Sequence, residues 1–325
     1  LDGKMAQVLD GQDAAFRALN DAYFTDGVVV QVRAGASVSE PIHALYVSTG
    51  DEAGRASHPR NLVVAESNSQ VTVLEQYVSL GAAPTLTNVV TQLVAGEGAR
   101  VEHVRFQDEG QEAFHLGAVR ATVAGSANLA VHSFALGARL SRQSLGVILD
   151  GPGLEAVLNG LYLVSGSRLA DHHMVVDHAQ PQGASHEYFN GILSDRARGV
   201  FHGRILVRPG AQKTDAKQTN KNLLLSDGAV VHTKPQLEIY ADDVRCTHGA
   251  TIGQLNPESV FYLRARGLPI DMARRMLIHA FAGEIIDRVG CERVRQALDR
   301  LVWARLEGDE PLTRLAGLRR SLANV

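Results

Sequence analysis

A cysteine and a histidine stand two residues apart, as Cys246-Thr247-His248, inside the stretch EIYADDVRCTHGATIGQLNPESVFYLRARG. In an extended segment residues i and i+2 face the same way, so a thiolate and an imidazole would converge on one point. That donor pair suits a soft metal such as iron or zinc. Two ligands are too few for a closed site, so the others would have to come from elsewhere in the chain or from another chain. The competing reading is a small buried cysteine beside a hydrogen-bonded histidine, and the residues alone leave both open.

Two further stretches carry chemistry-bearing letters. DHHMVVDH places Asp171, His172, His173, Asp177 and His178 close together, with His186 nearby. On a strand, His172 and His178 share a face and His173 points away, which fits a stacked polar ladder better than a metal site. KTDAKQTNKNLLL, with Lys213, Asp215, Lys217, Gln218, Asn220, Lys221 and Asn222, reads as a polar turn or asparagine ladder entering an apolar strand. Neither a GxxxxGK[ST] phosphate loop nor a GxSxG nucleophile elbow occurs, so ATP chemistry would have to come from another subunit.

The elements that must hold these residues are short strands. From Val28 to about Ile252, β-branched runs such as NLVVAES, VTVLEQYVSL and NVVTQLVAG follow one another between Gly, Asp, Asn and Ser, without intervening helical patterns. That argues against a doubly wound α/β fold. Asn-Gly and Asp-Gly hairpin signals are sparse, as expected of parallel strands. Runs such as LGVIL and NLLL are apolar at successive positions, as in strands covered on both faces. Both points favour a β-solenoid over a sandwich, barrel or propeller, although no crisp repeat period is visible.

A solenoid has open ends that need covering. The helical pattern of residues 12–24, with Ala15, Leu19 and Tyr23 on one stripe and Phe16 beside them, is a candidate cap for one end. The sequence after Leu255 is a candidate cap for the other. There Asn256-Pro257-Glu258 makes a helix start, and a short helix runs to Gly267. A second helix, PIDMARRMLIHAFAGEIIDRV, is apolar on two sides: Ile270, Ala273, Leu277, Phe281 and Ile285 on one, Met272, Met276 and Ile286 on another. Two more helices are expected near 291–306 and 310–322. One side of the second helix would pack on the chain itself and the other would meet a partner, methionine being suited to adaptable contacts; a core helix buried on both sides within the tail is the alternative.

Composition narrows the function classes. A 325-residue chain with a net charge of -3 lacks the basic excess of a nucleic-acid binder. Two cysteines, Cys246 and Cys291, make no disulfide framework and suggest a reducing compartment. No stretch reaches about 18 uninterrupted apolar residues, and no signal-peptide pattern is seen, so a cytoplasmic location is expected.

The segment AQKTDAKQTNKNLLLSDGAVVHTKPQLEIYADDVRCTHGATIGQLNPESVFYLRARGLP, continuing into ARRMLIHAFAGEII, resembles the C-terminal core of the SufB/SufD iron–sulfur assembly family, on its SufD side. The likeness extends more loosely through DHHMVVDH back to FRALNDAYFTDGVVV. It implies a mainly β protein: a right-handed parallel β-helix with an N-terminal helix and a C-terminal α-helical domain. It further implies pairing with a SufB-like subunit through the last strands and docking of a SufC-like ABC ATPase through the tail. No tightly bound cofactor is implied, only transient iron or cluster at the SufB–SufD interface, where His248 and Cys246 would lie. SufB-like chains carry Glu-His-Glu where Thr247-His248-Gly249 stands here, and a cysteine near the position of Asn220; their absence casts this chain as the partner that completes a shared site.

The expectation is therefore a non-catalytic scaffold with a helical segment at 1–27, a β-helix core at 28–255 and a helical domain at 256–325. Its partner-facing residues would include Tyr262, Arg266, Met272, Met276 and Phe281, and isolated chains would pair through the unfilled edge. The alternative is a carbohydrate-active β-helix enzyme. Such enzymes need convergent carboxylates and stacking aromatics, and aromatics make up only 5% of this chain, with the single Trp303 in the tail.

Overall fold

The computed structural model describes residues 14–307, in which the valine-rich middle of the chain winds into a parallel β-solenoid of two facing sheets. One sheet contains β1 (Val29–Val32), β3 (Arg55–Ser57), β4 (Arg60–Ala65), β6 (Thr85–Ala95), β8 (Phe114–Val123), β10 (Leu140–Leu149), β12 (Leu169–His178), β14 (Arg198–Val207) and β16 (Val230–Ile239). The other contains β2 (Ile42–Ser48), β5 (Gln70–Ser79), β7 (Arg100–Asp108), β9 (Asn128–Ala135), β11 (Glu155–Val164), β13 (Ala184–Leu193), β15 (Asp215–Leu224) and β17 (Arg245–Gly253). From β4 on, successive strands alternate between sheets, so each pairs in parallel with the strand one coil later.

Coil length is not constant. Phe114 pairs with Leu140, 26 residues on, whereas Arg198 pairs with Val230, 32 residues on. This variation hides the repeat from a reading of the sequence. The regularity lies in the corners. Asn68, Gly98, Ser126, Gly153, Gln182 and Lys213 each adopt a left-handed φ between 57° and 66°. Their backbone N–H groups donate to the next coil, as in Ser126 to Pro152 O at 2.9 Å and Lys213 to Asp243 O at 2.7 Å. Gln and Lys are unusual at positive φ, so sequence reading registers these corners as ordinary polar text.

Inward positions alternate along each strand and fill the space between the sheets. Val73, Leu93, Leu129, Leu158, Met174 and Phe201 belong to this core. The expected two-sided burial is also present. Leu74, Val104, Phe106, Phe134, Leu161, Leu163 and Ile192 form a second apolar layer on the outside of the second sheet. Full burial of each such side chain stabilises by roughly 1.5–3 kcal/mol.

That outer layer determines where the helices go. After α1 (Ala14–Tyr23) at the start, the chain ends in α2 (Pro257–Arg264), α3 (Ile270–Ile286) and α4 (Glu292–Glu307). Instead of capping the last coil, α3 and α4 lie along the outer face of the second sheet, contributing Ile278, Ala282, Ile285, Ile286, Val294, Leu298 and Val302 to its apolar layer. Arg305 with Asp108 and Gly290 with Glu102 fix the docking, the latter by a 2.5 Å hydrogen bond. Ile286, expected on the partner side of its helix, is buried in this seam, and Ile270, expected on the packed side, is 45% exposed. α1 also lies flat, on the first sheet. Its apolar stripe does not hold it, since Phe16 and Tyr23 are exposed. Buried Asn20 does so instead, donating to Pro59 O and Asn88 O at 2.9 Å each. The helix expected at 310–322 lies outside the described residues.

Phe201 is fully buried, with its ring 5.1 Å from that of Phe189 across the core. Phe201→Ala is expected to cost about 3–5 kcal/mol, read as a lowered urea midpoint with the far-ultraviolet circular dichroism of the folded chain retained.

Candidate functional site

With the helices along the side, the last coil ends in open strands. β16 and β17 terminate their sheets, and each leaves one edge unpaired among the described residues. The edges differ. β16 carries Lys234 and Pro235, both of which discourage further pairing. β17, RCTHGATIG, has neither lysine nor proline and is exposed along nearly its whole length. Ile252 on this strand is 51% exposed, and Ile239 and Tyr240 at the end of β16 are 39% and 63% exposed. Apolar residues that an added coil would cover stand uncovered here, beside a strand able to accept one.

Cys246 and His248 lie on β17, paired with Ala216 and Gln218 of β15. Ala216 and Gln218 are buried and inward, so Cys246 and His248 face the solenoid axis at its open mouth, on one side as their spacing requires. Their environments are unlike. Cys246 is half-buried and packs on the cluster of Ile205, Val207, Ala211 and Ala216. Burial pushes its thiol up, a backbone hydrogen bond at Ala216 opposing the shift. A raised thiol holds little thiolate at neutral pH, which makes Cys246 the weaker donor unless a metal or cation arrives. His248 is exposed. Cys291 is half-buried elsewhere, in a groove of about 760 Å³ shared with Glu102, Arg288 and Arg293, which includes no residue of the last coil.

Beneath the mouth lies a polar interior whose connections sequence reading missed. Glu187, Gln218 and His248 occupy one inward column on three successive rungs. Gln218 Nε2 donates to Glu187 Oε2 at 2.8 Å, Ser185 Oγ lies 3.3 Å from Glu187 Oε1, and His178 Nε2 lies 3.0 Å from Ser185 Oγ. Full burial pushes the Glu187 carboxyl up to about 8, so it is mostly neutral at pH 7. On the same strand as Gln218, Asn222 Nδ2 donates to Asn220 Oδ1 at 2.7 Å, and the Tyr162 hydroxyl donates to Asn222 Oδ1. The two asparagines are buried neighbours on one rung and stack on Phe189 and Gly191, so they form no ladder across coils. The only sequence signal for Glu187 and Gln218 was even spacing along strands, which cannot say which coils stack.

The histidines of DHHMVVDH divide as their spacing predicts. His172 and His178 are buried inward, His172 stacked on Tyr162 with ring centroids 5.0 Å apart, and burial holds both near 4. His173 faces outward against Asp171 at 2.8 Å. Among the described residues no group of three or more His, Cys, Asp or Glu side chains is placed to hold a metal ion.

The helical candidates fall in two groups. On α2, Phe261 and Tyr262 are 72% and 56% exposed, and Arg266, just beyond it, stacks its guanidinium 3.3 Å from the Tyr262 ring centroid. Met276 is exposed and Met272 half-buried on α3. Phe281 is half-buried against the helix–sheet seam, and its carbonyl accepts from Asn190 Nδ2 at 3.0 Å.

The sequence that builds this solenoid matches a known family. The SufBD core domain of the SUF iron–sulfur cluster assembly system covers residues 46–281. The chain belongs to the SufB/SufD family. It is 36% identical over 93% of its length to an iron–sulfur cluster assembly SufBD family protein of Synechocystis, covering 68% of that protein. It is 32% identical over 91% of its length to the iron–sulfur cluster assembly protein SufD of Escherichia coli, covering 71% of it. SufD of Bacillus subtilis is 26% identical over 86% of the chain, which covers 64% of that protein. As a SufB/SufD-family member the chain is a scaffold for iron–sulfur cluster assembly within a SufBCD-like complex, not an enzyme. No helix among the described residues is long and apolar enough to cross a membrane.

Two buried carboxyls give the fold opposite pH dependences. Glu187 titrates near 8 when folded, against an ordinary 4.5, so between those values the folded chain holds the extra proton and stability falls as pH rises. Burial also opposes ionisation of Glu75, but His103, Arg105 and Thr91 outweigh it and hold the carboxyl at about 2; its contribution is present above 4.5 and is lost as pH falls toward 2. Glu187→Gln should therefore flatten the decline in urea midpoint between pH 5 and 8 and leave the acid limb unchanged.

Proposed function

We propose that this chain is the SufD-like half of a SufB–SufD pair, joined to a SufB-like subunit through the β17 edge and to a SufC-like ABC ATPase through the helical tail. The observation that carries the first contact is the unguarded β17 edge beside uncovered Ile239, Tyr240 and Ile252. Strand addition would satisfy its free N–H and C=O groups and cover the apolar mouth in one step. The second contact is supported by the exposed Phe261, Tyr262, Ile270 and Met276, which α2 and α3 leave outside the chain's own seam.

In this reading His248 is the side chain offered to the shared site. It is exposed and inward-facing at the mouth, and a neutral imidazole is a competent ligand for iron, the cargo of assembly. Gly249, which follows it, has no side chain to add, so the remaining ligands would be the partner's. ATP-driven dimerisation of the ABC ATPase would pull on the helical tails. Because α3 and α4 are packed along the second sheet, that pull would reach the sheet whose last strand carries His248.

Two outcomes test this. His248→Ala should sharply reduce cluster assembly by the reconstituted complex without dissociating it; undiminished assembly by an intact complex removes His248 from the mechanism. Met276→Glu should weaken capture of the ABC ATPase roughly tenfold or more, measured by calorimetry, while leaving the SufB-like contact intact.

A further inference from the structure

The interior beneath His248 carries an acceptor left unused among the described residues. Gln218 Oε1 is buried and makes no hydrogen bond to any of them. Its partner on the same amide is committed, since Nε2 donates to Glu187 Oε2 at 2.8 Å. The amide is planar and Glu187 lies one rung below, so fixing Nε2 toward Glu187 leaves Oε1 on the side of the next rung. That rung is His248.

The placement of this amide depends on its surroundings. Gln218 lies across the core from Gly203, where a Cβ would fall 2.4 Å from Gln218 Nε2 and 2.9 Å from Oε1. Only glycine at 203 leaves room for the amide in this position. Glu187 is fully buried and held near 8, so at neutral pH it stays in the column as an uncharged acid. It is anchored in turn by Ser185 and His178. A buried carbonyl oxygen left unpaired is destabilising, and the next rung carries the exposed imidazole of His248, whose ring can supply an N–H donor.

We infer that Gln218 is the positioning residue for His248: its Oε1 accepts from one ring nitrogen of His248 when the ring turns inward, which places the proton there and presents the other nitrogen, lone pair outward, at the open mouth. A second hydrogen bond of this kind fixes the tautomer and orientation of metal-ligating histidines generally. Glu187 acts behind it by holding Gln218 Nε2. This inference rests on the reading of His248 as a cargo ligand but makes a separate physical claim about the ring.

The experiment is ¹⁵N nuclear magnetic resonance of the full-length chain labelled at histidine, which reads the tautomer of His248 directly. The wild-type ring is expected to hold a single tautomer. Gln218→Leu should release it to the mixed population of a solvent-exposed histidine. Gly203→Ala, which displaces the amide without deleting it, should do the same, and it keeps the test alive if Gln218→Leu does not fold. Glu187→Gln, which retains an oxygen able to accept from Gln218, should keep the ring locked. In the assembled complex Gln218→Leu should slow cluster assembly about tenfold. A ring still locked in both Gln218→Leu and Gly203→Ala, or released in Glu187→Gln, overturns the assignment. Intact assembly in His248→Ala would instead overturn the cargo-ligand reading and leave the tautomer result standing.

Discussion

A stack of parallel coils cannot satisfy its own ends. Each internal strand exchanges hydrogen bonds with the coil before and the coil after, but the last strand of each sheet has only one neighbour among the described residues. The consequences of that edge organise this molecule. A cap made from the chain's own helices would have sealed it. The apolar strip along the outside of the second sheet draws α3 and α4 away to the side instead. The open end persists because the helices have a better surface to cover.

The same arrangement explains the contrast between interior and mouth. Deep in the stack, many polar side chains find partners on their own or a neighbouring coil, as in the networks Ser185–Glu187–Gln218 and Asn220–Asn222–Tyr162. At the last rung the column runs out of coils. Gln218 is left with an unused oxygen and His248 with an exposed ring. Groups that would be structural one coil earlier become available for chemistry at the end. Cys246 and His248, two residues apart, fall on either side of that divide, the first packed on an apolar cluster and the second open.

The scaffold role of the family fits this construction. A solenoid is stiff along its axis because every coil is bonded to its neighbours through both sheets and through the left-handed corners. Helices fastened along one sheet by a continuous apolar seam move with it. Such a body holds an edge in place.

Much of this was legible in the sequence. Period-two runs of Val, Leu and Ile, few hairpin turns and successive apolar positions such as LGVIL favoured a doubly covered solenoid over a sandwich, barrel or propeller, because they depend only on local alternation. The shared face of Cys246 and His248, and the divided faces of His172 and His173, followed for the same reason. Resemblance in the stretch from Ala211 to Pro269 identified the family. What the sequence could not contain was stacking. Coils of 26 to 33 residues obscure which side chains become neighbours, so the contacts of Glu187, Gln218 and Gly203, which meet only across coils and across the core, could not be read. Nor could it say on which surface each helix would lie. Asn20 anchors α1 where an apolar stripe was expected, and Ile286 joins the seam while Ile270 stays outside, because the position of a helix is decided by the surface it meets, and that surface exists only once the sheets are built.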